Sequence, residues 1–382
     1  EESSSSNKSN EDEEESGEEA AWDLGIVFAD RIQGPLDNLM YTSWTVEHMV
    51  EKLLSVFQER LVNSFFPVLQ PAIGVGSAFE GWSPHKDDTV FRMLVPLKAP
   101  YGHAFHLQLG NTGKESHICV MLECTCNREQ LKNNMLCFLH NPEKVRRRKQ
   151  SPSLLDTLCI GCYLDVKKTA LWLQKLVTSA WGELPHSSLY KMQLQSSSRS
   201  CKMKLTDASQ GNVFIELIFG VQQGNSDIFL TSETSPDAIS TPSTTWLKSH
   251  AVAEAKFFKL VADYAPHDSF HLHCLHLCTR FLAGSYFSTY IMKTVLMHLL
   301  TAIPLSEWQK NYFPLRLGDI MGYLGYCVKE KRLNHFFFGS DKMPKMIILP
   351  QGFREAEPVN LFQHLVDDNA AHAQALRDFD KL

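Results

Sequence analysis

The 382-residue sequence has no run of about 18 or more uncharged apolar residues, which excludes a bilayer-spanning helix within it. It has no Gly-x-Ser-x-Gly, and so no nucleophile elbow of a serine hydrolase. Gly74-Val75-Gly76 lacks the third glycine and the lysine of loops that hold nucleotide phosphates by themselves. Excess positive charge is also missing. The net charge of −6 divides into −8 for residues 1–20, with nine acidic residues and one lysine, and +2 for the remainder. Nucleic acid is therefore not expected as a partner. Matched metal pairs are absent as well. Cys124-Thr125-Cys126 and Cys159-Ile160-Gly161-Cys162 each stand without a second pair at ribbon spacing. The run His271 to Cys278 reads as a core helix, because Leu272, Leu275 and Leu277 interrupt its ligands and closed zinc sites draw on separate segments. No metal and no other cofactor is expected.

What the chain does contain is enough apolar material, 44% of residues, for a large core. Its length exceeds the ~100–200 residues of a typical single core, so two packed lobes are expected. Residues 1–21, rich in Glu and Ser, cannot bury enough surface to fold and read as a disordered acidic linker. An α+β lobe is expected over 22–245 and a helical lobe over 246–382. Within the first, apolar spacing predicts an amphipathic helix over 45–66 and a helix over 165–181. Alternation predicts strands at 89–96, 103–109, 117–126, 202–205 and 212–221. Helices are expected over 249–263, 270–283, 285–301, 316–330, a short one near 331–337, and 358 to the end. Lys144, Arg146, Arg147, Arg148 and Lys149 lie between prolines with no interleaved aromatic residue and read as a solvated loop. The ten cysteines sit mostly in apolar stretches, as reduced buried thiols of a cytosolic domain do. The chain begins at Glu1 without a signal-peptide pattern and is expected to be a piece of a longer protein, with any anchor upstream.

The stretch Gly76 to Pro96 carries the candidate chemistry. A turn at Gly76-Ser77 can bring backbone N–H groups and a hydroxyl to a phosphate. Asp87 and Asp88 stand at the start of the strand Val90-Phe91-Arg92-Met93-Leu94-Val95, where carboxylates can hold Mg²⁺.

Gly76-Ser77 with Asp88 to Pro96, and Phe287 to His298 followed by Trp308, together resemble the nucleotidyltransferase fold of the male-abnormal-21 family, which includes cyclic GMP-AMP synthase. Within it the chain is similar to the inositol trisphosphate receptor-interacting protein-like branch. The resemblance covers about residues 25–365 and implies a nucleotidyltransferase-like first lobe with a long spine helix. It also implies three metal-binding carboxylates, two spaced Glu-x-Asp. Asp88 matches the second and Glu216 the third, whereas Lys86 stands at the first, where an ammonium removes a ligand and repels the cation. Asp87 cannot replace it without a bulge, since neighbours on a strand point to opposite faces. The resemblance thus leaves Gly76, Ser77, Lys86, Asp88 and Glu216 as a vestigial site of a pseudoenzyme. The family's Ser-Tyr-x-x-Lys matches Thr289-Tyr290-Ile291-Met292-Lys293, making Tyr290 and Lys293 candidates to stack on a base and meet a phosphate. A competing reading puts Tyr290 in the core and the Lys293 ammonium in water. The branch further implies a single-pass, membrane-anchored protein whose cytosolic domain binds a membrane receptor or channel. A nucleotide or inositol phosphate in the cleft between the lobes is the alternative partner.

Overall fold

The computed structural model describes residues 38–62, 64–83, 89–109, 115–124, 137, 139–141, 143, 153–233, 241–282, 286–339 and 343–381. The expected acidic linker at 1–21 lies outside them, as do Lys86, Asp87, Asp88, Cys126 and the basic run Lys144 to Lys149. The spine helix α1 spans 38–61. It buries Val46, Met49, Val50, Leu53, Leu54 and Phe57, the three- and four-residue spacing that the sequence predicts. It starts seven residues earlier than expected, with Met40, Tyr41 and Trp44 exposed on the added turns.

Twelve strands form one mixed sheet among the described residues. They are β1 (Val68–Leu69), β2 (Ile73–Val75), β3 (Val90–Lys98), β4 (His103–Leu109), β5 (Glu115–Leu122), β6 (Cys159–Ile160), β7 (Tyr163–Leu164), β8 (Lys191–Gln195), β9 (Cys201–Thr206), β10 (Asn212–Gln222), β11 (Phe229–Thr231) and β12 (Trp246–Ser249). β3 and β10 pair in parallel, and the other pairings are antiparallel. Residues 93–97 of β3 are all buried, because both of its faces are covered. Phe91, Met93, Val95 and Leu97 face a core shared with α1 and α3 (Val166–Ala180). Leu94 joins Val75, Ile218, Phe229 and Val252 on the other face. The short α2 (Leu154–Thr157) precedes β6.

The helical part packs α4 (Ala251–Tyr264), α5 (His271–Phe281), α6 (Thr289–Ala302) and α7 (Phe313–Lys329) around a second core that includes Trp308 and Phe313. Short helices α8 (Gln363–Asp367) and α9 (Asn369–Phe379) follow. The architecture is α+β, as expected.

Three expectations are corrected. Trp246–Ser249, placed in the helical lobe from sequence, belongs to the sheet between β11 and β5, with the buried Trp246 indole donating to the Leu164 carbonyl at 2.9 Å. Four residues are too few to show an alternation that would have competed with the helical periodicity following them. The short helix near 331–337 does not form. Lys331 takes a positive φ of 52° after α7, and the chain turns into a bridge between Asn334 and Asn360. The last helix is two, divided at Asp368, whose carboxylate caps α9 by accepting from Ala370 and Ala371. No described helix is long and apolar enough to cross a membrane.

Candidate functional site

One row of residues crosses the sheet from β2 to β8. Val75 pairs with Arg92, Arg92 with Glu216, Glu216 with Lys202, and Lys202 with Gln195. Gly76 and Ser77 directly follow Val75, so the fold brings the sequence-predicted turn to the same end of the sheet as Glu216. Gly76 has a φ of +81°, a conformation open to glycine and strained for other residues. The turn closes through Glu80 N–H to the Gly76 carbonyl and Trp82 N–H to the Ser77 carbonyl, both 3.0 Å. A hydroxyl from the spine helix fixes it further, with Ser43 donating to the Ala78 carbonyl at 3.1 Å.

Glu216 is surrounded by donors. It accepts from Arg92 Nε at 3.1 Å and Ser200 Oγ at 2.7 Å, with Lys202 Nζ at 3.5 Å. Burial alone would raise its carboxyl; the Ser200 hydroxyl, Lys202 and Arg92 outweigh it and hold the group below its ordinary value. The site is thus strongly anionic at Glu216 yet already neutralised by two cations. Beside it opens a cavity of about 700 Å³, lined by Arg92, Ser197, Arg199, Ser200, Lys202 and Glu216 among others. Arg199 is buried there and spends its guanidinium on backbone, donating to Ser232 O at 2.9 Å and Thr245 O at 2.6 Å.

Tyr290 and Lys293 lie elsewhere and are differently engaged. α6 is capped by Ser288 and buries Met292, Lys293, Thr294, Val295, Leu296 and Met297, leaving no exposed face at Lys293. The Lys293 ammonium donates to Glu80 at 2.5 Å and to Glu254, with the Phe258 ring 5.6 Å away. Burial alone would lower its pKa; the carboxylates of Glu254 and Glu80 outweigh it and raise the value. Neither sequence-based reading describes this side chain. It is not in water, and it is committed to two carboxylates rather than open to a phosphate. Tyr290 is half-buried with its hydroxyl against His335 Nε2 at 3.0 Å, so its polar end is also taken within the protein.

Glu80 and Glu254 were not anticipated. Glu80 comes from the very turn proposed for phosphate, its carboxylate fully buried and also accepting from the Trp82 indole at 2.7 Å. Glu254 projects from α4. The triad therefore ties the turn after β2 to two helices of the second core. A charged residue inside Ala78-Phe79-Glu80-Gly81-Trp82 and inside Val252-Ala253-Glu254 is the only trace it leaves in the sequence.

Residues 281–374 match the Mab-21 protein HhH/H2TH-like domain. Rat inositol 1,4,5-trisphosphate receptor-interacting protein-like 1 is 33% identical over 365 residues, 92% of this chain and 66% of that protein. Its mouse counterpart is 34% identical over 364 residues, with the same shares. The chain belongs to this family of Mab-21 proteins. Pufferfish (Takifugu rubripes) inositol 1,4,5-trisphosphate receptor-interacting protein is 29% identical over 377 residues, 91% of this chain and 70% of that protein. The chain spans just under two thirds of the length of its rat and mouse like-1 relatives. The Mab-21 match covers α6, α7, α8 and most of α9, and so includes Lys293 but not the two carboxylates that hold it.

Proposed function

We propose that this domain is a non-catalytic nucleotidyltransferase-like scaffold that acts by binding a membrane receptor or channel, in a protein anchored to the membrane by a segment outside this chain and facing the cytosol. The observation that carries the loss of catalysis is the state of Glu216. A carboxylate that should neutralise Mg²⁺ is paired with Arg92 and Lys202, and those cations would oppose a divalent ion at the same place. Lys86 at the first ligand position supports the same reading from sequence. The receptor reading rests on the relatives, which are inositol 1,4,5-trisphosphate receptor-interacting proteins. The chain is expected to make no cyclic or linear oligonucleotide from mixed nucleoside triphosphates with Mg²⁺ or Mn²⁺. Robust turnover abolished by Asp88→Ala would sink the non-catalytic reading. Saturable binding of the chain to purified inositol 1,4,5-trisphosphate receptor is the expected outcome on the partner side, and its absence refutes that half.

The cavity beside Glu216 favours a second reading, a sensor of a nucleotide or inositol phosphate. Arg92 and Lys202 reach its surface, with side chains 50% and 43% exposed. A ligand at 100 times its Kd should stabilise the folded chain by about 2.7 kcal/mol. A panel of nucleotides and inositol phosphates that gives no thermal shift, or a shift unchanged in Arg92→Ala, removes this reading.

A further inference from the structure

We propose that Cys124, Cys137 and His140 form a zinc site that fastens the end of β5 to the turn carrying Cys137 and His140. Cys124 Sγ lies 3.9 Å from His140 Nδ1, and the three ligand atoms are all within 4.8 Å of one another. Zinc bonds of about 2.3 Å to sulfur and ~2.0–2.1 Å to nitrogen, in a tetrahedron, place neighbouring ligand atoms about 3.5–3.8 Å apart. A contraction of no more than about 1.3 Å between any two of them closes the observed set around one ion.

The backbone holds both arms in place. Glu123 N–H donates to the Gly102 carbonyl at 2.9 Å, fixing the residue before Cys124 at the end of the β4–β5 hairpin. Asn141 N–H donates to the Cys137 carbonyl at 2.9 Å, a turn bond that keeps Cys137 beside His140. Cys137 is buried, while Cys124 and His140 are exposed, so an ion there is reachable from solvent yet backed by protein. Thiolate and imidazole together are the ligand chemistry that selects zinc.

The sequence held this signal in a form that pair-matching overlooks. Cys124-x-Cys126 has no cysteine pair to complement it, but Cys137-Phe138-Leu139-His140 is a Cys-x-x-His pair 11 positions beyond Cys126. Cys126 lies outside the described residues and is not among the three ligands. The fourth tetrahedral position can go to water, as it does in zinc sites with three protein ligands. A Cys124–Cys137 disulfide is the rival, and it would leave His140 its 3.9 Å contact to the Cys124 sulfur.

The test uses the whole chain, purified in reducing buffer without chelator, loaded with zinc chloride, dialysed, and measured by inductively coupled plasma mass spectrometry. About one equivalent per chain is expected, in keeping with a single site. Cys124→Ser and His140→Ala change exposed side chains and should fold, as circular dichroism will show, while losing most of the metal. Loading with cobalt chloride should give thiolate-to-cobalt charge-transfer absorption that Cys124→Ser weakens. Cys162→Ser, an exposed cysteine of the other motif, should keep the wild-type content. No retained zinc in the wild type overturns the proposal, as do variants that hold as much as the wild type. So does a Cys124–Cys137 disulfide in the purified chain that persists in place of the metal.

Discussion

Replacing Lys293 by methionine keeps the length and removes the charge from a triad whose other members are Glu80 and Glu254. The Lys293 and Glu80 side chains are 5% and 0% exposed, and that of Glu254 is 10% exposed, so solvent does little to soften the change. At an effective dielectric of about 20, each attraction over ~4 Å is worth about 4 kcal/mol. Repulsion between the carboxylates and the cost of taking three charges out of water return part of this. Removing one partner from a buried ion pair costs ~3–5 kcal/mol. Lys293→Met should therefore lower stability by about that amount, or Tm by about 6–20 °C at ~2–4 °C per kcal/mol. The sign in pH follows from the shift. The folded-state pKa of Lys293 is raised above 10.5, so its contribution is complete below that value and is lost only as pH rises through the folded value. Urea denaturation at pH 7 of wild type, Lys293→Met, Glu80→Gln and the double variant gives the coupling directly. A Lys293→Met chain within about 1 kcal/mol of wild type, or a double variant equal to the sum of the singles, would refute the triad as the lock between turn and helices.

Two further predictions concern the turn and the buried histidines. A Cβ at Gly74 would stand 2.4 Å from Phe79 Cδ1, so Gly74→Ala should cost ~1–3 kcal/mol by urea denaturation. No loss would mean that the Phe79 ring moves freely. Burial lowers the pKa of His271 to about 4 and of His335 to about 3, from an ordinary 6.5. Both are neutral in the fold while the unfolded chain takes up protons below 6.5, so each should withdraw stability at about 1.4 kcal/mol per pH unit on acidification, until its folded value is reached. Thermal melts from pH 7 to 4 should fall steadily, and His271→Gln should flatten the slope. A flat profile in the wild type would contradict the neutral, buried state of both rings.

The large features were legible because they repeat. α1 and α3 show the helical period over many residues, and β3 and β10 are long apolar strands. Lys202 and Glu216 could also have been read, since each is a charge inside a strand and a period of two puts it on a definite face. What could not be read was the cross-strand register that sets Arg92 against Glu216, because it depends on pairing between segments 124 positions apart. Lys293 misled for the same reason. Its helix is evident in the sequence, but its partners come from a turn 213 residues away and a helix 39 residues away. Residue type and spacing indicated a cation on a helix, and only the packing decides what that cation meets.

The two charged residues that the family resemblance offers for a metal and a phosphate, Glu216 and Lys293, each have their counter-charge within the chain. A ligand seeking Lys293 must displace two carboxylates, and a cation seeking Glu216 must displace an arginine and a lysine. Displacing the carboxylates forfeits buried charge-assisted hydrogen bonds worth ~1.5–3 kcal/mol apiece, whereas the half-exposed Arg92 and Lys202 pairs are worth only about 0–1 kcal/mol each. Arg92 is the easier to release, because it is half-exposed and one of several donors to Glu216, whereas Lys293 is buried on every side. An anion would therefore enter the cavity beside Glu216 rather than approach α6. That asymmetry separates the two functional readings in one experiment. A sensor must lose its thermal shift in Arg92→Ala, whereas a scaffold that only presents its outer surface should bind its receptor equally well with Arg92 present or absent.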